Sequence, residues 1–517
     1  ASPRLAFGIC QALLGAAIAW AGYMLTESLP YWPIDPSITG DPWYTFQLDV
    51  ARSLWVVLPG AILWGASFPL ALAAAVTPGQ DPARTVGGLF AANTVGAIVG
   101  ALGAGVLVAW LDSSQHTQQI LMVICGLSAL LVLQPVGALA TAKGAHLKYA
   151  GAALAIVIAG YVLAKAIAPI PGVLVGYGRF AATRVGQADF IYVGEGVNSS
   201  VAVSELSNGV RNYHNAGKVQ ASSEPQDMRL QRMLGHLTTL LPKEPKSVVV
   251  IGCGAGVTAG AVSVDPRVEK LTIAEIEPLV VRTVSTYFSQ HNFDVVRNPK
   301  TRVRIDDARH YLLTTDETFD AITSDPLDPW VKGAAMLYSK EFFELAKRRL
   351  NPGGAVTLFV QLYESSEEAV KSEIATFFDV FPNGAVFANT FEGAGYDLVL
   401  VGQADPIRID LDAWEARLQR PEYATVRLSL GQIGFRSAVE LLSTFAGQAK
   451  DLHGWLQDAQ ITRDRNLRLQ YLAGLGLNLR AGDYIYRNMV SYRQSPDEMF
   501  TGSPELRMAL WEQMQYQ

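Results

Sequence analysis

Apolar residues follow two patterns along the chain, and the change falls near residue 170. Before it, long apolar runs dominate, roughly Leu5–Leu25, Val50–Val76, Val86–Leu111, Gln118–Ala138 and Leu147–Ala168. About 20 such residues suffice to cross a bilayer as a helix. After Ile170 the runs shorten and alternate: "DFIYV", "SVAVSEL" and "VRNYHNAGKVQA", with Asn and Gly at the turns, predict a small antiparallel β domain over 171–222. From Lys246, strand-like runs alternate with helical ones: "SVVVIG", "KLTIAEIE", "RVRIDD", "FDAITSD" and, after the turn "NPGG", "GAVTLFVQL". This interleaving predicts a mainly parallel, doubly wound α/β sheet of Rossmann-like type over 223–404, with "GAVFANTF" and "YDLVLVGQ" as a closing antiparallel pair. Residues 405–517, with "LDAWEARLQR" and "RSAVELLSTFAG", predict a mostly helical C-terminal extension. The fold class is thus an N-terminal α-helical membrane domain over 1–170, with about five transmembrane helices, followed by the β and α/β parts.

Charge sharpens this division. Only 12 of the 88 charged residues lie in the first 170 positions, as a membrane domain requires. The net charge of −6 therefore resides in the remainder, which argues against a nucleic-acid partner. Tyr31, Trp32, Trp43 and Tyr44, between the first two runs, suit a membrane–water interface. In the third run Asn93, Gly96, Gly100 and Ala104 recur near helical spacing and predict close helix packing. With five crossings, Arg4, Arg84, Lys143 and Lys148 share one side, and the positive-inside rule then puts the soluble part outside the cytoplasm. That conflicts with the use of a cytosolic cofactor. The chain reads as a multi-pass inner-membrane protein whose soluble side stays open. Its start, almost inside an apolar run, reads as a trimmed or incomplete N-terminus rather than a signal peptide. The three cysteines and seven histidines show no metal-ligand spacing, so no metal is expected.

Candidate chemistry gathers at the strand ends, where doubly wound sheets bind ligands. Gly252, Gly254 and Gly256 follow the first strand, and glycine lets a backbone approach a ligand closely. Glu275 ends the second strand, where an acid can accept both ribose hydroxyls. Asp307 ends the third and Asp325 the fourth, with Asp328 three positions on in "SDPLDPW". Asp-Pro pairs suit a turn, and two carboxylates also suit acid–base work. Glycines alone would serve helix–strand packing equally well. Four successive strand ends with glycines or acids point instead to a nucleoside-type ligand. The loop is no Walker phosphate loop, and Val257 departs from the nicotinamide pattern, which leaves S-adenosylmethionine or a relative.

"VVVIGCGAGVTAG", "IAEIEP", "IDDARHYL", "FDAITSDPLDPW" and "MLYSKEFFELAKRRLNPGG" together resemble spermidine synthase-like proteins. "GLFAANTVGAIVGALGAG" and "GKVQAS" resemble the bacterial branch in which that domain is fused to a transporter-like membrane region, and "ITRDRNLRLQYLA" is a looser match. The resemblance implies that Gln220, Glu275 and Asp307 contact the nucleoside of S-adenosylmethionine or its decarboxylated form. It also implies that one of Asp325 and Asp328 helps deprotonate an attacking amine; Asp328 is expected as the base, with Asp325 orienting the amine or sharing the charge. Two departures stand against a standard polyamine acceptor. Ala255 replaces the aspartate that holds the donor's free amine, and Leu230 and Arg232 fall where a polyamine-binding tyrosine and glutamate are expected. Arg232 is expected to meet an anionic acceptor, the cofactor's carboxylate or solvent. The expected function is a membrane-integrated transferase acting on a small-molecule or lipid acceptor. The alternatives are a catalytically degenerate accessory or scaffold subunit of a membrane complex, with or without a bound cofactor, and a methyltransferase on a membrane-associated substrate. A transporter with a regulatory domain is the weakest reading, since five helices make less than half a usual transporter. The expected partners are the lipid bilayer and other membrane-protein subunits.

Overall fold

The computed structural model describes residues 2–32, 34–38, 41–76, 81–111, 113–135 and 144–515. Its contacts divide the chain into two compact units. One comprises Ala1–Ala202 with His214–Lys218, the other Val203–Tyr213 with Val219–Gln517.

The first unit opens with five helices: α1 (Pro3–Tyr23), α2 (Pro42–Ala75), α3 (Pro82–Leu111), α4 (Ser114–Leu133) and α5 (Ala145–Ala166). All five are long and apolar enough to cross a membrane. The predicted end of the fourth span at Ala138, and Lys143, lie outside the described residues. Helix α2 begins earlier than its apolar run because Asp41 caps it, accepting from the Trp43 N–H at 2.9 Å. The small-residue face of α3 departs from expectation. A side chain built at Gly96 or Gly100 would meet nothing within 4 Å, so among the described residues these glycines serve no close helix contact. Two short helices follow, α6 (Gly172–Tyr177) and α7 (Ala181–Arg184). Strands β1 (Asp189–Glu195), β2 (Ser200–Glu205), β3 (Arg211–Asn215) and β4 (Lys218–Ser222) then form a four-stranded sheet in sequence order.

The second unit continues with α8 (Pro225–Leu240), β5 (Ser247–Ile251), α9 (Val257–Ser263), β6 (Lys270–Glu275), α10 (Pro278–Tyr287), β7 (Thr301–Ile305) and α11 (Ala308–Thr314). It runs on through β8 (Phe319–Ser324), α12 (Lys340–Arg348), β9 (Leu350–Gln361), α13 (Glu367–Val380), β10 (Ala385–Phe391) and β11 (Ala394–Gln403). The extension adds β12 (Ile409–Asp410), α14 (Leu411–Gln419), α15 (Ala424–Gly431), α16 (Ala438–Leu442), β13 (Phe445–Gln448), α17 (Ala449–Leu452), α18 (Arg468–Leu475), α19 (Gly482–Val490), β14 (Phe500–Thr501) and α20 (Pro504–Gln515).

Eight strands form one sheet in the order β13-β10-β11-β9-β8-β5-β6-β7. From β9 to β7 the neighbours are parallel, while β11 runs antiparallel to β9 and to β10. The apolar run "SVVVI" of β5 is buried on both faces, as a central parallel strand must be. Val249 and Ile251 join a core with Phe342, Phe343 and Phe377 of α12 and α13. Helices α8 and α9 pack together, with α9 against β5 and β6 and α8 against β8 and β9. The extension is more than a helical tail, since β13 supplies the edge strand beside β10.

Candidate active site

The strand order reverses at β5, which has β8 on one side and β6 on the other. Strand orders that reverse in this way leave a crevice at the carboxyl ends, the usual ligand position in such sheets. The glycine loop leaves β5 at this point. Gly252 and Gly256 take positive φ of 80° and 75°, which a side chain rarely adopts. A β-carbon at Gly256 would also lie 2.7 Å from Val284, so packing as well as backbone requires glycine there.

Glu275 is buried at the end of β6. Its two carboxylate oxygens accept from the backbone N–H of Cys253 at 2.8 Å and of Glu277 at 2.9 Å. Burial raises its pKa, and the backbone donors partly oppose that rise. The Asp306 N–H donates to the Glu275 carbonyl at 3.0 Å, bringing the end of β7 beside it. Asp307 follows, exposed, and caps α11 by accepting from the His310 N–H at 2.9 Å. Ile276, next to Glu275, is exposed and offers an apolar surface at this rim.

Asp325 lies across the crevice. Its carboxylate accepts from the Thr258 hydroxyl at 2.9 Å, joining β8 to the start of α9. Burial pushes its pKa up to about 6, with the Thr258 bond pulling down and the charge of Asp227 adding to the rise. Asp328 is buried deeper. Its charge raises the pKa of Tyr338, Tyr363 and Glu373, although burial is the larger cause for each. The structure therefore brings the glycine loop, Glu275, Asp307, Asp325 and Asp328 to one rim. Gln220 is half-buried on β4, in the other sheet.

Sequence reasoning missed a group of acids and tyrosines behind this rim. Glu373, on α13, is 1% exposed, and its Oε2 has no hydrogen-bond partner. Tyr363 and Tyr396 pack with ring centroids 5.0 Å apart, and the Tyr396 hydroxyl donates to Asp227 at 3.5 Å. Asp397, buried on β11, adds its charge beside both tyrosines. Tyr396-Asp397 at a strand start could have been noticed as a polar pair in an apolar run.

Arg232 meets neither an acceptor nor solvent. It is 4% exposed and donates to the Ser429 carbonyl at 3.2 Å, to Gln432 Oε1 at 2.5 Å and to the His291 carbonyl at 3.4 Å. One turn on, His236 pairs with the Ser429 hydroxyl at 2.8 Å. Arg229 lies over the Phe435 ring at 4.5 Å. This face of α8 is given over to holding the extension. Leu230 is buried as well.

The residues fit a nucleoside better than a free aminopropyl amine. Glu275 offers a carboxylate acceptor of the kind that nucleoside hydroxyls need. Ala255, 1% exposed, offers no charge. No group of three or more His, Cys, Asp or Glu able to hold a metal occurs among the described residues.

Residues 227–404 match the spermine/spermidine synthase domain family. A polyamine aminopropyltransferase of Aeropyrum pernix is 29% identical over 236 residues, covering 44% of this chain and 75% of that protein. Polyamine aminopropyltransferase 1 of Pseudomonas aeruginosa is 31% identical over 157 residues, 29% of this chain and 54% of its own length. The enzyme of Escherichia coli O1:K1 is 34% identical over 160 residues, 30% of this chain. The chain thus spans 54% of the length of these last two relatives. Among solved structures, a spermidine synthase in complex with the transition state analogue AdoDATO aligns at a TM-score of 0.41 and 21% identity, covering 48% of this chain and 85% of that one. The spermidine synthase of Thermotoga maritima aligns at 0.38 and 20%, covering 48% and 84%. Over residues 227–404, then, this chain is similar to spermine/spermidine synthase domains.

Proposed function

We propose that this chain is a membrane-integrated transferase that moves an alkyl group from a sulfonium nucleoside to an amine acceptor other than a standard polyamine. The observation that carries the reading is the meeting of Asp325 with the glycine loop where the strand order reverses, with Asp328 buried three residues on. The donor, decarboxylated S-adenosylmethionine or S-adenosylmethionine itself, supplies a carbon activated by its sulfur. Glu275 and Asp307 hold the nucleoside hydroxyls and base, with Gln220 at the outer edge. Asp328 takes the proton from the attacking amine as the new C–N bond forms and the C–S bond breaks, leaving a neutral thioether. Asp325 shares that charge and orients the amine. Positioning of this kind, together with proton removal, is the chemistry the reaction needs. The acid–tyrosine group around Asp227, Glu373 and Asp397 supports a cationic acceptor, while buried Arg232 and Leu230 support one other than a standard polyamine. The five apolar helices support insertion in the inner membrane.

A second reading is favoured by Ala255 and by the commitment of Arg232 and His236 to the extension. In it, the domain is a degenerate accessory or scaffold subunit that docks other membrane proteins. One experiment separates the two. The full chain, in detergent, is assayed for transfer from decarboxylated S-adenosylmethionine and from S-adenosylmethionine to a panel of amines and lipids. Turnover that falls about 100-fold or more in Asp328→Asn supports the transferase. Turnover untouched by that change sinks the role of Asp328. Nucleoside binding without turnover on any acceptor supports the accessory role, as would a C-terminal reporter found outside the cytoplasm.

A further inference from the structure

The segment 460–464 of the extension runs back to the rim of the crevice. Its carbonyls are held at two points. The Ser372 hydroxyl donates to the Gln460 carbonyl at 2.6 Å, and the Lys340 N–H donates to the Thr462 carbonyl at 2.9 Å. The Thr462 N–H in turn donates to the Thr376 hydroxyl at 2.9 Å. Asp464 comes next and makes contacts in two directions. Oδ1 accepts from Arg309 Nη1 at 2.7 Å, and Oδ2 closes the bidentate pair with Nη2. Oδ1 also accepts from the Ser339 hydroxyl at 2.7 Å, and the Asp464 N–H donates to Glu341 Oε2 at 3.0 Å.

Both partners matter for the site. Arg309 lies two residues beyond Asp307, in the first turn of α11. Ser339 caps α12 and closes the stretch 325–338 that carries Asp325 and Asp328. β7 is an edge strand, largely exposed along its length. The stretch between β8 and α12 has only a short 3-10 turn, Ala334–Tyr338, for regular structure. A bidentate arginine–carboxylate pair fixes geometry as well as adding energy.

We propose that Asp464 is a positioning residue, whose simultaneous grip on Arg309 and Ser339 sets the distance between the Asp307 wall and the Asp325–Asp328 stretch. Through it the C-terminal extension couples nucleoside binding to the placement of the acids. This rests on the reading of the crevice as a nucleoside site.

The test uses the full chain in detergent, with two measurements. Calorimetry reads the affinity for 5′-methylthioadenosine, and mass spectrometry reads the rate of tryptic cleavage after Lys332, which is exposed in the 325–338 stretch. Asp464→Asn should weaken binding about tenfold or more and speed the cut by a similar factor. Arg309→Gln should act mainly on affinity, and Ser339→Ala mainly on the cut. Asp458→Asn is the control. It removes a 3.0 Å ion pair to Lys371 in the same part of the extension and should move neither measurement. Wild-type values for both measurements in Asp464→Asn, or equal changes in Asp458→Asn, would overturn the proposal. Should Asp464→Asn fail to fold, the opposite responses of Arg309→Gln and Ser339→Ala decide it. If the unaltered chain binds no nucleoside, the site reading fails by itself, and the cleavage rates still test the anchoring.

Discussion

Cys253 in the glycine loop and Glu275 at the end of β6 are joined by one hydrogen bond, from the Cys253 N–H to Glu275 Oε2 at 2.8 Å. With the Glu277 N–H on the other oxygen, it aims the carboxylate across the crevice. Glu275→Gln would set an amide NH2 against one of these N–H donors. We expect binding of 5′-methylthioadenosine to weaken about tenfold or more, since a mispaired buried donor costs about 1–3 kcal/mol. Calorimetry on the full chain reads this directly, and unchanged affinity would remove Glu275 from the nucleoside site.

Asp325 sets a pH limit. Its pKa of about 6 means that the carboxyl loses its charge as pH falls through that value. Transfer should therefore show an acid limb near pH 6, which Asp325→Asn removes from the profile. Thr258→Val should move the limb to higher pH, because the Thr258 hydroxyl favours the ionised form. Stability runs the other way. A carboxyl raised above its unfolded value of 3.8 opposes folding once ionised, so this contribution falls as pH rises through 6. Asp325→Asn should flatten that part of the stability curve relative to the unaltered chain.

Glu373 is buried, has an unpartnered oxygen, and lies beside the charge of Asp328, so burial first and that charge second raise its pKa well above the ordinary carboxyl range. A neutral isostere should then be tolerated. Glu373→Gln is expected to change unfolding free energy by less than about 1 kcal/mol, while Glu373→Ala leaves a void and costs about 2–3 kcal/mol. Denaturant unfolding of the detergent-solubilised chain measures both. A large loss for Gln would mean that Glu373 is charged and paired.

Acid should loosen the hold of the extension on α8. His236, fully buried against Ser429, has its pKa pushed down to about 3 by burial. In the unfolded chain it takes up a proton near pH 6.5. Its contribution to stability is complete above that value and is lost as pH falls from 6.5 toward 3. His214 on β3, pushed down to about 4, adds to the same loss. His236→Leu should have a shallower fall over this range in thermal unfolding. A slope equal to that of the unaltered chain would mean the imidazole titrates normally.

The parallel strands were legible because buried strands of such sheets read as continuous apolar runs, and "SVVVI" does so. The acids at their ends followed from position alone, which is why Glu275, Asp307 and Asp325 could be placed on one rim. Asp328 could be placed near them, but not the company it keeps. Glu373 sits in "EEAVKSEIATFF", where four charges in the first seven residues read as a solvated helix face. Only the tertiary packing of α13 shows that this one is buried. Arg232 was equally opaque, because its partner Ser429 lies 197 positions away. The edge strand β13 has four residues, too few for any periodic signal.

The grip of the extension on α8 bears on how this chain could change. In Arg232 and His236, a helix that borders a candidate acceptor site has spent its side chains on internal scaffolding. An acid restored at 232 would face the carbonyls of Ser429 and His291, not an incoming amine. Acceptor preference therefore cannot drift through single exchanges there without dislodging α15. Variation nearer the acids involves instead β11 and α13, around Tyr396, Asp397 and Glu373.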